Sequence, residues 1–300
     1  MRVVFFGTSA FADPSLRALV REHDVTLTVS QPDKPAGRGM RLAPTPVKTT
    51  SLELDLPIIT PPRLDGDAVA QALAAKPDVL VCVAYGKILP SALLTGPRLA
   101  ALNIHPSALP RYRGATPMQA ALLAGDEATA ISIIWMSDRM DAGDIALQTP
   151  AAIEPDDNFG TLHDRLARDS AALIINALQL LATDSLPRLA QDESQATYTK
   201  PVAKQDLELR FDRGALELSR RVRAYAPRPG AWMRFAGGRL KVLDARPDSG
   251  EVDGPPGSVH RARDGGALAA TADGALRLLK VVPEGKRQMS GEEFGRSLRT

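Results

Sequence analysis

Apolar and polar positions follow two different rhythms along this chain. Short, largely apolar runs recur at Arg2–Phe6, Val25–Val29, Ile58–Ile59, Pro77–Val83 and Ala101–His105. Apolar-rich runs of this length suit strands covered on both faces, as in a parallel sheet. Between them lie stretches with helical spacing. One opens at Asp13–Pro14, an N-cap followed by a first helical proline, and runs to about Glu22. Others cover Asp67–Ala75, Thr116–Ala124 and Asn158–Leu181, the last carrying Leu162, Leu166, Leu173, Ile174 and Leu178. Ala130–Trp135 and Ile145–Thr149 read as a strand pair around MSDRMDAGD. Strand, helix, strand in succession predicts an α/β domain with a doubly wound, mostly parallel sheet.

The rhythm changes after residue 183. Thr183–Lys204 is polar and reads as a linker. Beyond it come a helix at Ala215–Ala224, then short strands at Ala231–Phe235, Leu240–Leu243, Ser258–Val259, Ala267–Thr271 and Leu276–Val282, and a closing helix at Glu292–Leu298. Closely spaced short strands predict a small C-terminal β-barrel of OB-like type. The expected division is 1–184, a linker at 185–204, and 205–300. Gln31–Lys48, QPDKPAGRGMRLAPTPVK, breaks the first pattern and reads as a long structureless loop, a kind of segment that tends to be functional or disordered.

Composition adds bounds. The 300 residues are 44% hydrophobic and 24% charged, ordinary for a globular protein, and no apolar run of about 20 residues is present to span a bilayer. The N-terminus lacks the pattern of a signal peptide. A single cysteine, Cys82, excludes an internal disulfide and fits the reducing cytoplasm; within VLVCVAY it reads as a buried, inert thiol. Net charge is +2, unevenly spread: residues 1–200 hold 18 Lys and Arg against 22 Asp and Glu, whereas residues 201–300 hold 19 against 13. A basic C-terminal part suggests contact with a polyanion. The loop at 31–48 adds Lys34, Arg38, Arg41 and Lys48 against Asp33 alone, a composition suited to phosphate contact.

Dinucleotide binding is not indicated: TSAFADPS follows Gly7, so the GxGxxG fingerprint is missing. GxSxG is missing as well, and none of the four histidines lies at metal-ligand spacing from another ligand. His105 stands apart from the others. In LNIHPSALPRYRG, Asn103 and His105 are two residues apart at a strand end, so both side chains leave the same face. An amide donor beside an imidazole suits work on a carbonyl, with Asn103 donating to a developing oxyanion and His105 moving a proton or lending charge. A carboxylate near the imidazole would complete the set, and the DAGD turn offers Asp141 and Asp144, between which the physics of the sequence does not choose.

LNIHPSALPRYRG followed by MDAGD closely resembles the signature of the folate-dependent formyltransferases. The resemblance implies a Rossmann-like catalytic domain, 10-formyltetrahydrofolate as formyl donor, and no metal. It implies a catalytic trio of Asn103, His105 and Asp141, because the family places its acid 38 residues after the asparagine, the step from 103 to 141. Folate-side contacts are implied at Tyr85, Gly86, Ile88 and Leu89 of VAYGKILP and at Ser107, Ala108, Leu109 and Pro110. Family members formylate glycinamide ribonucleotide, amino-sugars or methionyl-tRNA. The basic 31–48 loop resembles the insertion of the members acting on initiator methionyl-tRNA, and TYTKPVAK, RAYAPRPGAW and EGKRQMSGEEF resemble their C-terminal barrel. The resemblance thus implies tRNA contacts at Lys34, Arg38, Arg41 and Lys48 and a role in translation initiation, for which a monomer suffices. Ala108 stands where the family usually has leucine, and RAYAPRPGAW departs from the common wording. The competing readings are an amino-sugar nucleotide formyltransferase, a 10-formyltetrahydrofolate hydrolase and a non-catalytic tRNA-binding protein.

Overall fold

In the computed structural model, residues 1–36, 39–250 and 252–298 are described. The chain runs β1 (Arg2–Gly7), α1 (Asp13–Glu22), β2 (Asp24–Val29), β3 (Lys34–Ala36), β4 (Arg41–Ala43), α2 (Pro46–Glu53), β5 (Ile58–Ile59), α3 (Gly66–Ala74), β6 (Val79–Val83), α4 (Ser91–Thr95), β7 (Ala100–His105), β8 (Arg113–Gly114) and α5 (Pro117–Ala124). It continues through β9 (Ala128–Trp135), β10 (Ile145–Ala152), α6 (Phe159–Ala182), β11 (Tyr198–Thr199) and α7 (Ala215–Tyr225). The remaining elements are β12 (Ala231–Phe235), β13 (Gly238–Asp248), β14 (Val259–Arg261), β15 (Ala267–Ala270), β16 (Ala275–Pro283), β17 (Met289–Ser290) and α8 (Gly291–Ser297).

Two compact units result, one of Met1–Pro117, Thr129–Ala152 and His163–Thr199, the other of Met118–Ala128, Ile153–Leu162 and Lys200–Thr300. The first holds a sheet in the order β10-β9-β7-β6-β1-β2-β5. Its strands β7, β6, β1, β2 and β5 are parallel, and β9 joins β7 antiparallel. This is the mostly parallel sheet that the apolar-rich runs predict. Strand β6 is buried at every residue, and Val3 through Phe6 of β1 are wholly inaccessible, so both faces of the sheet centre are covered. Burial of apolar surface contributes about 25 cal/mol per Å², so these central strands stabilise the unit. Strands β6 and β7 lie side by side, and their C-terminal ends carry the two segments singled out in the sequence.

The second unit contains an antiparallel sheet in the order β12-β13-β16-β15-β14, with β17 on β16. It is the small C-terminal β-structure expected, in the form of a curled half-barrel. Helix α7 packs against β13, through Ser219 Oγ donating to the Ala245 carbonyl among other contacts.

Two local readings change. The described residues of 31–48 are not structureless: β3 and β4 pair antiparallel, with Lys34 opposite Ala43, and Lys48 lies inside α2. A helix start had hidden in the proline-rich wording, because Pro46 sits in the first turn and the Thr45 hydroxyl caps it by accepting from Lys48 N at 3.1 Å. Asp13, read as an N-cap, is already helical; its carboxylate instead accepts from Arg17 Nε at 3.1 Å and from the Thr50 hydroxyl.

Candidate active site

Strand β7 is central, with Asn103 in register between Cys82 of β6 and Ile134 of β9, and His105 opposite Ser132. Alternation puts both side chains on one face at the strand's C-terminal end. The turn between β9 and β10 brings Asp141 to the same place. Asn103 Nδ2 donates to Asp141 Oδ1 at 3.4 Å, and His105 Nδ1 stands 3.6 Å from Asp141 Oδ2. The His105 side chain is 5% exposed and that of Asp141 15%, so the three meet where water is largely excluded and charges act strongly. The structure therefore brings together Asn103, His105 and Asp141. Asp144 lies at the base of the turn, its carbonyl accepting from Trp135 N at 2.9 Å.

The segment after β7 supplies two backbone groups. The Tyr112 carbonyl lies 2.9 Å from His105 Nε2, and because a carbonyl only accepts, the proton sits on Nε2. Nδ1 then faces the carboxylate, so a second ring proton would be held by Asp141. Gly114 N donates to Asp141 Oδ2 at 2.8 Å. Gly114 has φ +105°, and a Cβ there would come within 2.5 Å of the Thr199 carbonyl oxygen, so the position requires glycine. At Gly143 a Cβ would run into the Trp135 carbonyl oxygen, which explains the glycine in DAGD. Cys82, neighbouring Asn103 in the sheet, has its thiol pushed up to about 12 by burial and, second, by the Asp141 charge. It stays a neutral thiol, as its place in VLVCVAY implies.

The folate-side candidates gather at the ends of β6 and β7. Tyr85 is buried against Phe6, edge to face at 5.3 Å, and burial pushes its phenol up to about 12. Its carbonyl accepts from Thr8 Oγ1 at 2.9 Å and Gln31 Nε2 at 2.7 Å. Gly86 adopts φ +80°, Ile88 is 77% exposed, and Leu89 and Leu109 are buried. The Ser107 hydroxyl is committed to the Arg111 carbonyl at 2.7 Å, Ala108 is partly covered, and Pro110 accepts from Thr197 N at 3.3 Å. A flat, mostly apolar ligand suits the exposed Ile88 and the glycine backbone beside it.

Of the basic loop, Lys34 and Arg41 are exposed, with exposed Met40 and Leu42 flanking Arg41. Lys34 Nζ also donates to Gln31 Oε1 at 2.9 Å. Lys48 is bound to Asp33 at 2.8 Å and is less available to a phosphate than its charge suggests. Arg38 lies outside the described residues. No group of three or more His, Cys, Asp or Glu side chains arranged for a metal occurs among the described residues, and no described helix is long and apolar enough to cross a membrane.

Sequence reasoning missed the segment 187–199. It was read as linker, yet it is bonded along the first unit. Leu189 and Ile145 exchange backbone bonds at 3.0 and 2.8 Å, Trp135 Nε1 donates to the Pro187 carbonyl at 2.8 Å, and β11 pairs in parallel with β8. Arg113, wholly buried, is its anchor: Nη2 donates to Glu193 Oε1 at 2.9 Å and Nη1 to the Tyr198 hydroxyl at 2.9 Å. Arg139 also binds Glu193 at 2.7 Å, and the two guanidinium groups hold the Glu193 carboxyl down at about 2. A polar, proline-containing stretch gives no periodicity to find, although its Gln and Glu beside two arginines were a usable signal.

A mostly parallel sheet with an amide, an imidazole and a carboxylate meeting at one strand end suits acyl transfer, and comparison with known proteins gives the chain its family. The model of the formyl transferase family matches residues 1–178, and that of the formyl transferase C-terminal domain matches residues 201–299. The chain belongs to the formyl transferase family. Among its relatives, the methionyl-tRNA formyltransferase of Methylococcus capsulatus is 44% identical over 296 residues, covering 98% of this chain and 96% of that protein. The protein of the same name from Thermus thermophilus is 42% identical over 297 residues, covering 99% and 96%. Two solved structures share the fold at low identity. The methionyl-tRNA formyltransferase from Clostridium thermocellum has a TM-score of 0.58 at 16% identity, covering 84% of this chain and 95% of that one. The sugar 3N-formyl transferase WlaRD has a TM-score of 0.68 at 14% identity, covering 96% and 99%.

Proposed function

We propose that this protein transfers the formyl group of 10-formyltetrahydrofolate to the α-amino group of initiator methionyl-tRNA, with Asn103, His105 and Asp141 as its catalytic residues. The observation that carries the reading is the meeting of these three side chains at one strand end, in a chain aligned nearly end to end with relatives named for that reaction. The amino-sugar reading is not favoured: the relatives aligned nearly end to end at 42–44% identity are named methionyl-tRNA formyltransferase.

The amine attacks the formyl carbon, and the bond to folate N10 breaks as N10 gains a proton. Asn103 spends one N–H on Asp141 and has a second for the oxyanion of the tetrahedral intermediate. One such donor contributes roughly 10²- to 10³-fold in rate. His105, protonated at Nδ1, would bring positive charge to the same oxyanion, with Asp141 stabilising that charge and accepting the proton the amine releases. Proton transfer of this kind contributes roughly 10²- to 10⁴-fold. Tyr85, Gly86, Ile88 and Leu89, with Ser107 to Pro110, would bind the folate. Lys34, Arg38 and Arg41 would meet the tRNA phosphates, with Lys48 contributing less because Asp33 neutralises it. In this reading residues 1–184 carry the chemistry together with the part of 185–204 that is bonded to them, 205–300 add RNA contact, and the protein works as a monomer in the cytoplasm.

The test is formyl transfer from 10-formyltetrahydrofolate to methionyl-tRNA, free methionine or an amino-sugar nucleotide. The expected order has methionyl-tRNA ahead by more than about a hundredfold in kcat/KM, since the other two engage neither the loop nor the basic C-terminal unit. Preference for the sugar nucleotide would overturn the proposal.

A further inference from the structure

The segment 187–199 does more than join two units. Gln191 lies at its centre, partly buried, and its amide is engaged on both sides. Its Nε2 donates to the Asp141 carbonyl at 2.8 Å and to the Gly143 carbonyl at 2.7 Å. Its Oε1 accepts from Arg113 Nη2 at 2.8 Å and from Arg113 Nε at 3.0 Å. Arg113 is wholly buried and clamped by Glu193 and Tyr198, so it is a rigid mount. The residue after it, Gly114, holds the Asp141 carboxylate by its N–H. One short piece of chain thus fixes Asp141 twice, at the carboxylate through Gly114 and at the backbone through Arg113 and Gln191.

Asp141 needs such holding. Its φ of +50° lies in the left-handed region, which a side-chain-bearing residue adopts only when its surroundings impose it. Released from Gln191, the turn would relax toward an ordinary backbone and swing the carboxylate away from His105 and Asn103. From this geometry we infer that Gln191 is a positioning residue: it locks the backbone of Asp141 and Gly143 so that the carboxylate faces the imidazole. The inference rests on Asp141 being catalytic. The connecting segment is then part of the catalytic apparatus, and Arg113 serves the reaction through Gln191 without touching a substrate.

Gln191→Glu removes the donation while adding a charge that faces both carbonyls, and Gln191→Met removes it without one. A carboxylate of the same shape still accepts from Arg113 but donates to neither carbonyl. The expected result is a fall in kcat of about 10- to 100-fold, with KM for folate and for tRNA within about twofold, as for a misplaced catalytic group. The decisive reading is a double-mutant cycle. In an Asp141→Asn background, adding Gln191→Glu should cost less than about twofold, because the group it positions is already disabled. Full additivity, or wild-type kcat in Gln191→Glu alone, would overturn the inference. Should Gln191→Glu fail to fold, Gln191→Met, of similar length and unable to donate, answers the same question in the same cycle. If Asp141→Asn alone keeps wild-type turnover, the catalytic reading fails, an outcome distinct from failure of Gln191.

Discussion

At the scale of single residues, chemistry depends on which polar atoms are left to act after the fold has used the rest. Cys82 is adjacent to Asn103 in the sheet, yet burial and the Asp141 charge keep its thiol neutral. Cys82→Ala should keep formyl transfer within about twofold, at a stability cost of about 1 kcal/mol, and the native thiol should alkylate far more slowly than the denatured one. Activity lost in step with alkylation of the native protein would contradict this. Asn103 and His105 were legible in the sequence because period two at a strand end dictates a shared face. The acid was not legible from physics alone: Asp141 and Asp144 belong to one turn, and only the 38-residue step of the resemblance separated them. Arg113 was invisible, since a charged side chain in PRYRG is normally at the surface and its partners lie some 80 residues later.

At the scale of elements, apolar-rich runs marked β1, β2, β6 and β7 closely, because strands covered on both faces draw mainly on apolar side chains. Elements held by side-chain bonds were harder to see. Helix α2 begins in a proline-rich stretch, and the segment 187–199 has neither periodicity nor a run of apolar residues. That segment hangs on Glu193, whose carboxyl is held at about 2 by Arg113 first and Arg139 second. A depressed carboxyl pKa adds stability above the ordinary value of about 4.5, and that stability disappears as pH falls from there toward about 2. Amide hydrogen exchange should therefore show Arg113 and Thr197, whose backbones are bonded to each other, losing protection across this window before the β1–β6 core does. Glu193→Gln should lower that protection at neutral pH and remove most of the pH dependence. An unchanged profile in the variant would show that the segment is held by other contacts.

At the scale of the whole chain, the two-part organisation was legible from the change of rhythm near residue 183 and from the charge imbalance. The two family models, covering residues 1–178 and 201–299, fit that change. Less visible was that the first compact unit extends to Thr199, because the polar segment before it is fastened by a buried arginine. In the proposed reaction one carboxylate, that of Asp141, completes the pair at the C-terminal end of β7. The most direct test is single-turnover formyl transfer to methionyl-tRNA at saturating folate, comparing wild type, Asp141→Asn and Asp144→Asn. The prediction is a loss of about a hundredfold or more for Asp141→Asn and a rate within about twofold of wild type for Asp144→Asn. Equal rates in the two variants, or the larger loss in Asp144→Asn, would contradict it.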